Sequence, residues 1–330
     1  MSTGGLAVAG LGIVAPGVCR PDDALAPADE AVPGWFQAGS ALPGRGYRRL
    51  PDACKYLLAA SRLAVGDAGD RLSRTAREHR AAVVAINNTG AALMEELDRT
   101  IMRDGAAEMS PSSSPYIAMS CFASRLSVEH GITGFSLTVN SPVTAGLEAL
   151  QLAARAVAAD RARTVLVGAV EEALSPSQAT APGSEAGAVV LYCESAAGGR
   201  ARYGTCRVRS AFLDPAAAAS GAAAVFAPLL GDAPPCRIDA VLDDSAVGTA
   251  AARWLDQLTG EHDVVIVPAP AQAGCLTPLR RVLGLLAQER GAPARHLVLA
   301  ASAQGTVTCA ELTLAPHRAV GTGGAEAPSV

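Results

Sequence analysis

Aromatic residues are scarce in this chain: Phe, Trp and Tyr make up 4% of 330 residues, although half of the residues are apolar. The core must therefore be built from Ala, Val and Leu, and the length suffices for one large domain or two fused halves. Lysine is nearly missing, since Lys55 stands alone among 27 basic residues, a bias of composition rather than of function. The net charge of -4 excludes the basic footprint of a nucleic-acid binder. No run of about 18 strongly apolar residues occurs, so no membrane span is expected. The Ala-rich stretch 216–230 is interrupted by Ser220, Gly221 and Pro228 and reads as a helix in water. Residues 1–18 have no basic flank ahead of their apolar run, so a secretory leader is not expected and a cytoplasmic location is. The eight cysteines never form a CxxC pair, which removes the usual zinc and thioredoxin-like signatures. Scattered, reduced and buried thiols are expected, and neither cofactor nor metal is indicated.

What is present is an alternation of strand and helix patterns. The central stretch, residues 131–168, reads GITGFSLTVNSPVTAGLEALQLAARAVAADRARTVLVG. Its pattern predicts a strand over 135–139, a turn at Asn140-Ser141-Pro142, a helix over 145–160 and a second strand over 164–168. Leu147, Leu150, Ala154 and Val157 recur at helical spacing. A strand that hands its last residues to a helix start is a common way to present a nucleophile, because helix N-terminal amides favour negative charge. The residue at that point is Val143, which can donate, accept and attack nothing.

Ahead of this stretch, residues 6–17 form an apolar strand running into a Gly-Pro turn. Gly10 and Gly12 lack the third glycine and the following helix of a dinucleotide fingerprint. Residues 18–50 read as loop, 52–67 as helix, 81–86 as strand, 91–102 as helix and 116–130 as helix. Strands are expected at 185–191 and 202–212. The second half then repeats the outline, with helices at 216–230, 249–258 and 277–288, strands at 237–242 and 263–267, and a closing hairpin of 296–302 with 306–314. The class is α/β with mostly buried sheets. A boundary near 194–200 gives halves 1–195 and 196–315, followed by a Gly/Ala/Pro-rich tail, 316–330, expected to be disordered.

Three segments carry a resemblance: Ser136-Leu137-Thr138-Val139, Ala145-Gly146-Leu147-Glu148-Ala149-Leu150 and Val165-Leu166-Val167-Gly168-Ala169-Val170-Glu171. Together with the opening GLGIVAPG run and Glu185-Ala186-Gly187-Ala188, they resemble the β-ketoacyl synthases of the thiolase superfamily. The resemblance implies a thiolase fold, a duplicated five-layer αβαβα sandwich, here with trimmed loops. Counted back from Gly146-Leu147, the family's acyl-accepting cysteine falls on Val143. The family's first histidine falls on Ser245, in the segment 241–249, and the second on Cys275, after Gly274. None of His79, His130, His262, His296 or His317 lies at either position. His130 is expected to cap a helix end, and His296 to be a solvated or capped edge residue.

A condensing reaction needs a thiolate and donors for the developing oxyanion, and all three positions are lost. The resemblance therefore points to a chain length factor, the non-catalytic subunit that pairs with a ketosynthase in type II polyketide synthases. It implies a pseudo-twofold heterodimer and an acyl chain delivered on the phosphopantetheine arm of an acyl carrier protein. Phe135, Ser136, Leu137, Thr138, Val139 and Asn140 would lie at the dimer interface. Tyr116, Met119, Phe122 and Val143 would wall the acyl tunnel and set the chain length of a polyketide, with trimmed loops pointing to polyene or highly reduced products. The alternative is a diverged acyltransferase, hydrolase or cyclase using Cys275 or Ser245. The neighbours Asp243-Asp244 and Glu171-Glu172 do not make acid–base pairs, since adjacent strand residues point to opposite faces.

Overall fold

The computed structural model describes residues 4–27, 31–32, 34–110, 114–174, 185–197, 201–231, 235–261, 263–288 and 294–315. The expected tail, 316–330, lies outside the described residues. Within them are ten strands: β1 Leu6–Val14, β2 Arg80–Ile86, β3 Ser136–Asn140, β4 Thr164–Glu171, β5 Gly187–Ser195, β6 Gly204–Phe212, β7 Arg237–Leu242, β8 Val265–Pro270, β9 Arg295–Ala301 and β10 Thr306–Leu314. The longer helices are α1 Asp52–Ala68, α2 Ala91–Asp104, α3 Cys121–His130, α4 Ala145–Ala158, α5 Ala218–Leu230, α6 Ala246–Glu261 and α7 Leu276–Ala287. None among the described residues is long and apolar enough to cross a membrane.

The strands run in the order β3-β2-β4-β5-β1-β6-β10-β9-β7-β8. Read outward from the centre, each half has the same order, with β6 to β10 taking the places of β1 to β5. The halves meet through a short antiparallel pairing in which Leu6, Ala7 and Val8 face Cys206, Thr205 and Gly204. The duplication that the two sequences barely express is thus explicit in the strand order.

Alternation along the strands sorts the core into three layers. In β2, Ala81, Val83 and Ala85 point into a central core, while Ala82, Val84 and Ile86 point to an outer one. In β9, Val298 and Ala300 face the same central core, and Leu297, Leu299 and Ala301 face a third. α4 and α7 fill the centre, α1 and α3 cover one outside, and α5 and α6 cover the other. This is the five-layer αβαβα arrangement. Strands with both faces buried read as near-continuous apolar runs, which is why β1, β2, β4 and β5 were legible. Gly10 and Gly12 serve packing: a Cβ there would sit about 2 Å from the Ala64 and Ala60 carbonyl oxygens of α1.

Several expectations are corrected. The 18–50 stretch holds short helical turns at Pro21–Leu25, Ala38–Ala41 and Arg45–Tyr47. They are too brief to show periodicity, and Trp35 and Phe36 tie the stretch to Tyr56 of α1 with ring centroids 4.9 and 5.0 Å away. α3 starts at Cys121, not at 116. His296 is not an edge residue; β9 lies between β10 and β7, so His296 is buried inside the sheet. His130 is no cationic cap either. Its Nε2 lies 2.7 Å from Ser61 Oγ under α1, and burial pushes its pKa down to about 4.

Candidate functional site

β3 is an edge strand, parallel to β2 and paired with nothing on its other side among the described residues. Its C-terminal end feeds the turn 141–144 and then α4. Val143 sits in that turn at φ +58°, a left-handed conformation that a β-branched residue rarely adopts. The Thr144 amide donates to the Pro142 carbonyl at 2.6 Å across it, closing a strained γ-turn. Such strain costs about 1–3 kcal/mol and persists only where the surroundings enforce it. Here the Val143 amide donates to the Gly274 carbonyl at 3.1 Å, and the side chain is 6% exposed in the central core. The sharp elbow that would present a nucleophile is intact, and it presents two methyl groups.

Facing the elbow is the loop 271–275, which follows β8 and leads into α7. It is held by groups from the first half. Glu171, the last residue of β4, accepts the Cys275 amide at 2.9 Å and the Asn88 amide at 2.8 Å. Glu185 accepts the Leu276 amide at 3.0 Å and the Thr277 hydroxyl. The Asn87 and Asn88 side-chain amides both donate to the Ala273 carbonyl, at 2.8 and 2.6 Å. Burial pushes the Glu171 carboxyl up to about 7 and raises Glu185 as well, against the amide hydrogen bonds that favour their charged forms. Glu172 turns to the other face of the sheet, as adjacent strand residues must, and accepts the Ala53 amide at 3.0 Å.

Gly274 is fixed by this crowding, because a Cβ there would lie 2.6 Å from Glu185 Oε2 and 2.7 Å from Glu171 Cγ. Gly274→Ala is therefore expected to destabilise the fold by about 1–3 kcal/mol, read as a lower urea midpoint. An unchanged midpoint would mean that the two carboxylates can step aside.

The structure thus brings Val143, Gly274 and Cys275 together and places Ser245 at the end of the neighbouring strand β7. Ser245 is occupied as a helix cap: its Oγ accepts the Gly248 amide at 3.1 Å, and its own amide donates to Asp243 Oδ1 at 3.1 Å. This cap starts α6 at Ala246, earlier than the sequence pattern suggested. Cys275 is fully buried, and burial with the nearby Glu171 and Glu185 pushes its thiol far up. A thiol so placed is a poor nucleophile.

The four residues expected to wall a tunnel fall in different surroundings. Phe122 and Tyr116 are buried in the outer core of the first half, with the Arg125 guanidinium donating to the Tyr116 hydroxyl at 2.7 Å. Tyr116 also borders a cleft of about 440 Å³ with Tyr56, Leu93 and Glu172. Val143 belongs to the central core. Met119 is 53% exposed beside the open edge, where the Asn140 side-chain amide donates to its sulfur at 2.9 Å. The sequence reading missed Asn87, Asn88 and Glu185 as anchors of the loop.

The chain matches the family model "Beta-ketoacyl synthase, N-terminal domain" over residues 37–225, more than half of its length. Among solved structures it is similar to the ishigamide ketosynthase/chain length factor at 21% identity and TM-score 0.70, covering 94% of this chain and 99% of that one. It is similar to a type II PKS acyl-carrier protein in complex with its ketosynthase bound to the hexaketide (AntDE:AntF) at 13% identity and TM-score 0.68, covering 94% and 99%. A ketosynthase from module 1 of the bacillaene synthase of Bacillus amyloliquefaciens FZB42 gives 14% identity and TM-score 0.68 over 95% of this chain and 76% of that one. At these identities the structures establish the shared fold.

Proposed function

Because this chain belongs to the β-ketoacyl synthase family, we propose that it is a chain length factor, a non-catalytic subunit that pairs with a ketosynthase and shapes its acyl tunnel. The observation that carries this reading is Val143: the elbow keeps its strained backbone at φ +58° while offering no nucleophile. Ser245 and Cys275, at the two histidine positions, are committed to a helix cap and to a buried loop. A partner would supply the thiolate and the histidines, and an acyl carrier protein would deliver the chain to it on phosphopantetheine. The short link from Ser195 to Gly204 supports a place among factors for polyene or highly reduced chains. Reading Cys275 or Ser245 as a replacement nucleophile gains no support, since Cys275 is fully buried with its thiol pushed far up and Ser245 Oγ caps α6.

The two ends of the sheet support pairing through β3. At the far end, β8 carries Pro268 and Pro270, which lack amide donors and suit a strand that must not recruit another. β3 carries no proline. Beside it stand the exposed Ile117, Met119 and Val128, and the Ser127 hydroxyl of α3 reaches the Ser136 hydroxyl at 3.3 Å. Co-expression with a ketosynthase, tagging only this chain, is expected to yield a stable 1:1 complex. Met119→Ala in that complex is expected to shift products to longer chains, measured by mass spectrometry. A soluble homodimer that ignores the ketosynthase would overturn the reading.

A further inference from the structure

Segment 45–55 gathers charge of one sign in a chain whose net charge is -4: Arg45, Arg48, Arg49 and Lys55 stand there against Asp52 alone. The short helical turn Arg45–Tyr47 and the first turn of α1 arrange three of these cations around one cleft of about 390 Å³. Arg45, Arg48 and Lys55 line it, and no acidic side chain does among the described residues. Pockets for small ligands run from about 300 to 1,000 Å³. Arg45 and Arg48 are exposed, whereas the Lys55 side chain is only 15% exposed. Its Nζ donates to Asp52 Oδ1 at 2.8 Å, and Asp52 lines the separate cleft beside Tyr116. The rest of the wall is fixed in place. Leu42 is buried in the outer core, and the Tyr47 hydroxyl is held between Arg62 at 2.6 Å and Glu129 at 3.0 Å. Elsewhere arginines meet carboxylates: Arg62 pairs with Glu129, Arg71 with Glu194 and Arg237 with Asp239. Among the described residues, Arg45 and Arg48 make no ion pair. Like charges held on one concave wall repel each other and draw in an anion.

We propose that this cleft binds a small phosphorylated molecule, with its phosphate or diphosphate group seated among Arg45, Arg48 and Lys55. Guanidinium forks match phosphate oxygens in bidentate fashion, and an ammonium acts as a point charge. A phosphate monoester carries a charge of about -1.5 to -2 at neutral pH. The two guanidiniums, free of carboxylates, balance that charge, and Lys55, shared with Asp52, adds to it. Leu42 and the Tyr47 ring offer apolar surface to the body that bears the phosphate. A bound phosphate would tie the turns of 38–48 to α1, so binding stabilises the fold. The site stands independently of the chain-length-factor reading, since neither β3, nor the elbow, nor a ketosynthase enters it.

Inorganic pyrophosphate is the probe, titrated into the full-length chain by isothermal calorimetry at fixed ionic strength, which separates binding from screening. The expected result is saturable binding at a single site per chain, with a melting temperature that rises with pyrophosphate concentration. Arg45→Gln and Arg48→Gln, both at exposed positions, should keep the circular dichroism spectrum. Each should weaken binding by about tenfold, the loss of one charge-assisted hydrogen bond. Arg253→Gln, exposed on α6 in the opposite outer layer, should bind like wild type. The proposal falls if pyrophosphate does not bind, or if the Arg45 and Arg48 variants bind it as wild type does. Vesicles containing phosphatidic acid present the same chemistry on a lipid, and the chain is expected not to float with them. Flotation that survives saturating pyrophosphate would assign the cations to a membrane headgroup and overturn the small-molecule site.

Discussion

Replacing Glu171 by alanine is expected to cost about 2–6 kcal/mol of folding stability at mildly acid pH, because two buried amides lose their acceptor at about 1–3 kcal/mol each. Those amides, of Asn88 and Cys275, belong to the two halves, so the carboxylate joins β2's exit to the loop that leads into α7. The loss should depend on pH with a definite sign. Burial raises the folded pKa of Glu171 from 4.5 to about 7. The native state then binds more protons than the unfolded one between these values, so the carboxyl's contribution is fully present below pH 4.5 and is lost as pH rises through 7. For this group alone the change amounts to about 3 kcal/mol. His130 works in the opposite sense, since its pKa is lowered from 6.5 to about 4. Its contribution is present above pH 6.5 and fades as pH falls through 4. The two windows overlap, so only the difference between wild type and Glu171→Ala isolates the carboxyl. Urea unfolding at about pH 5 and about pH 8 should show a larger difference at the lower pH. A difference below about 1 kcal/mol at both, or one independent of pH, would mean that Glu171 is not the clamp described.

Much of this architecture was legible because its strands are buried on both faces, and such strands announce themselves as apolar runs. The layer assignment was not legible in the same way. Ala, Val and Leu look alike on either face of β2, and only the packed helices show that Val83 serves the central core and Val84 an outer one. Register with the family motif placed Val143, Ser245 and Cys275, and the chain does bring Val143 against Gly274-Cys275. What the motif could not convey is how those positions are held. Glu185 and Asn87 grip the loop 271–275 across separations of 91 and 186 residues, which no local pattern records. His296 shows the converse failure. A histidine at the head of a strand reads as solvated when the strand is assumed to lie at an edge, and the crossover order that buries β9 is a property of the whole sheet. The residues expected to wall a tunnel share this weakness, because Tyr116, Met119 and Phe122 are close in sequence yet differ in burial.

The most direct consequence of the open edge concerns Thr138. In the parallel ladder between β2 and β3, the Ala82 amide donates to the Phe135 carbonyl at 3.0 Å. Parallel pairing alternates along a strand, so Phe135, Leu137 and Val139 turn their backbone groups toward β2. Ser136, Thr138 and Asn140 turn theirs outward, toward the place a partner strand would take. A proline at 138 therefore removes an outward amide and leaves the ladder to β2 intact, whereas a proline at 137 would break that ladder. Thr138→Pro is expected to leave the isolated chain folded, with an unchanged circular dichroism spectrum, and to weaken ketosynthase capture by about a hundredfold. That figure corresponds to about 3 kcal/mol, the cost of one buried acceptor left unpaired on the partner. The matching substitution Ile266→Pro on β8, the other edge of the sheet, should leave capture unchanged: the Val265 amide donates inward to the Cys236 carbonyl at 3.1 Å, so Ile266 faces outward with Pro268 and Pro270, which already withhold that edge from pairing. If Thr138→Pro binds the ketosynthase as tightly as wild type while Ile266→Pro does not, the partner sits at the opposite end of the sheet, and the interface assigned to residues 135–140 is wrong.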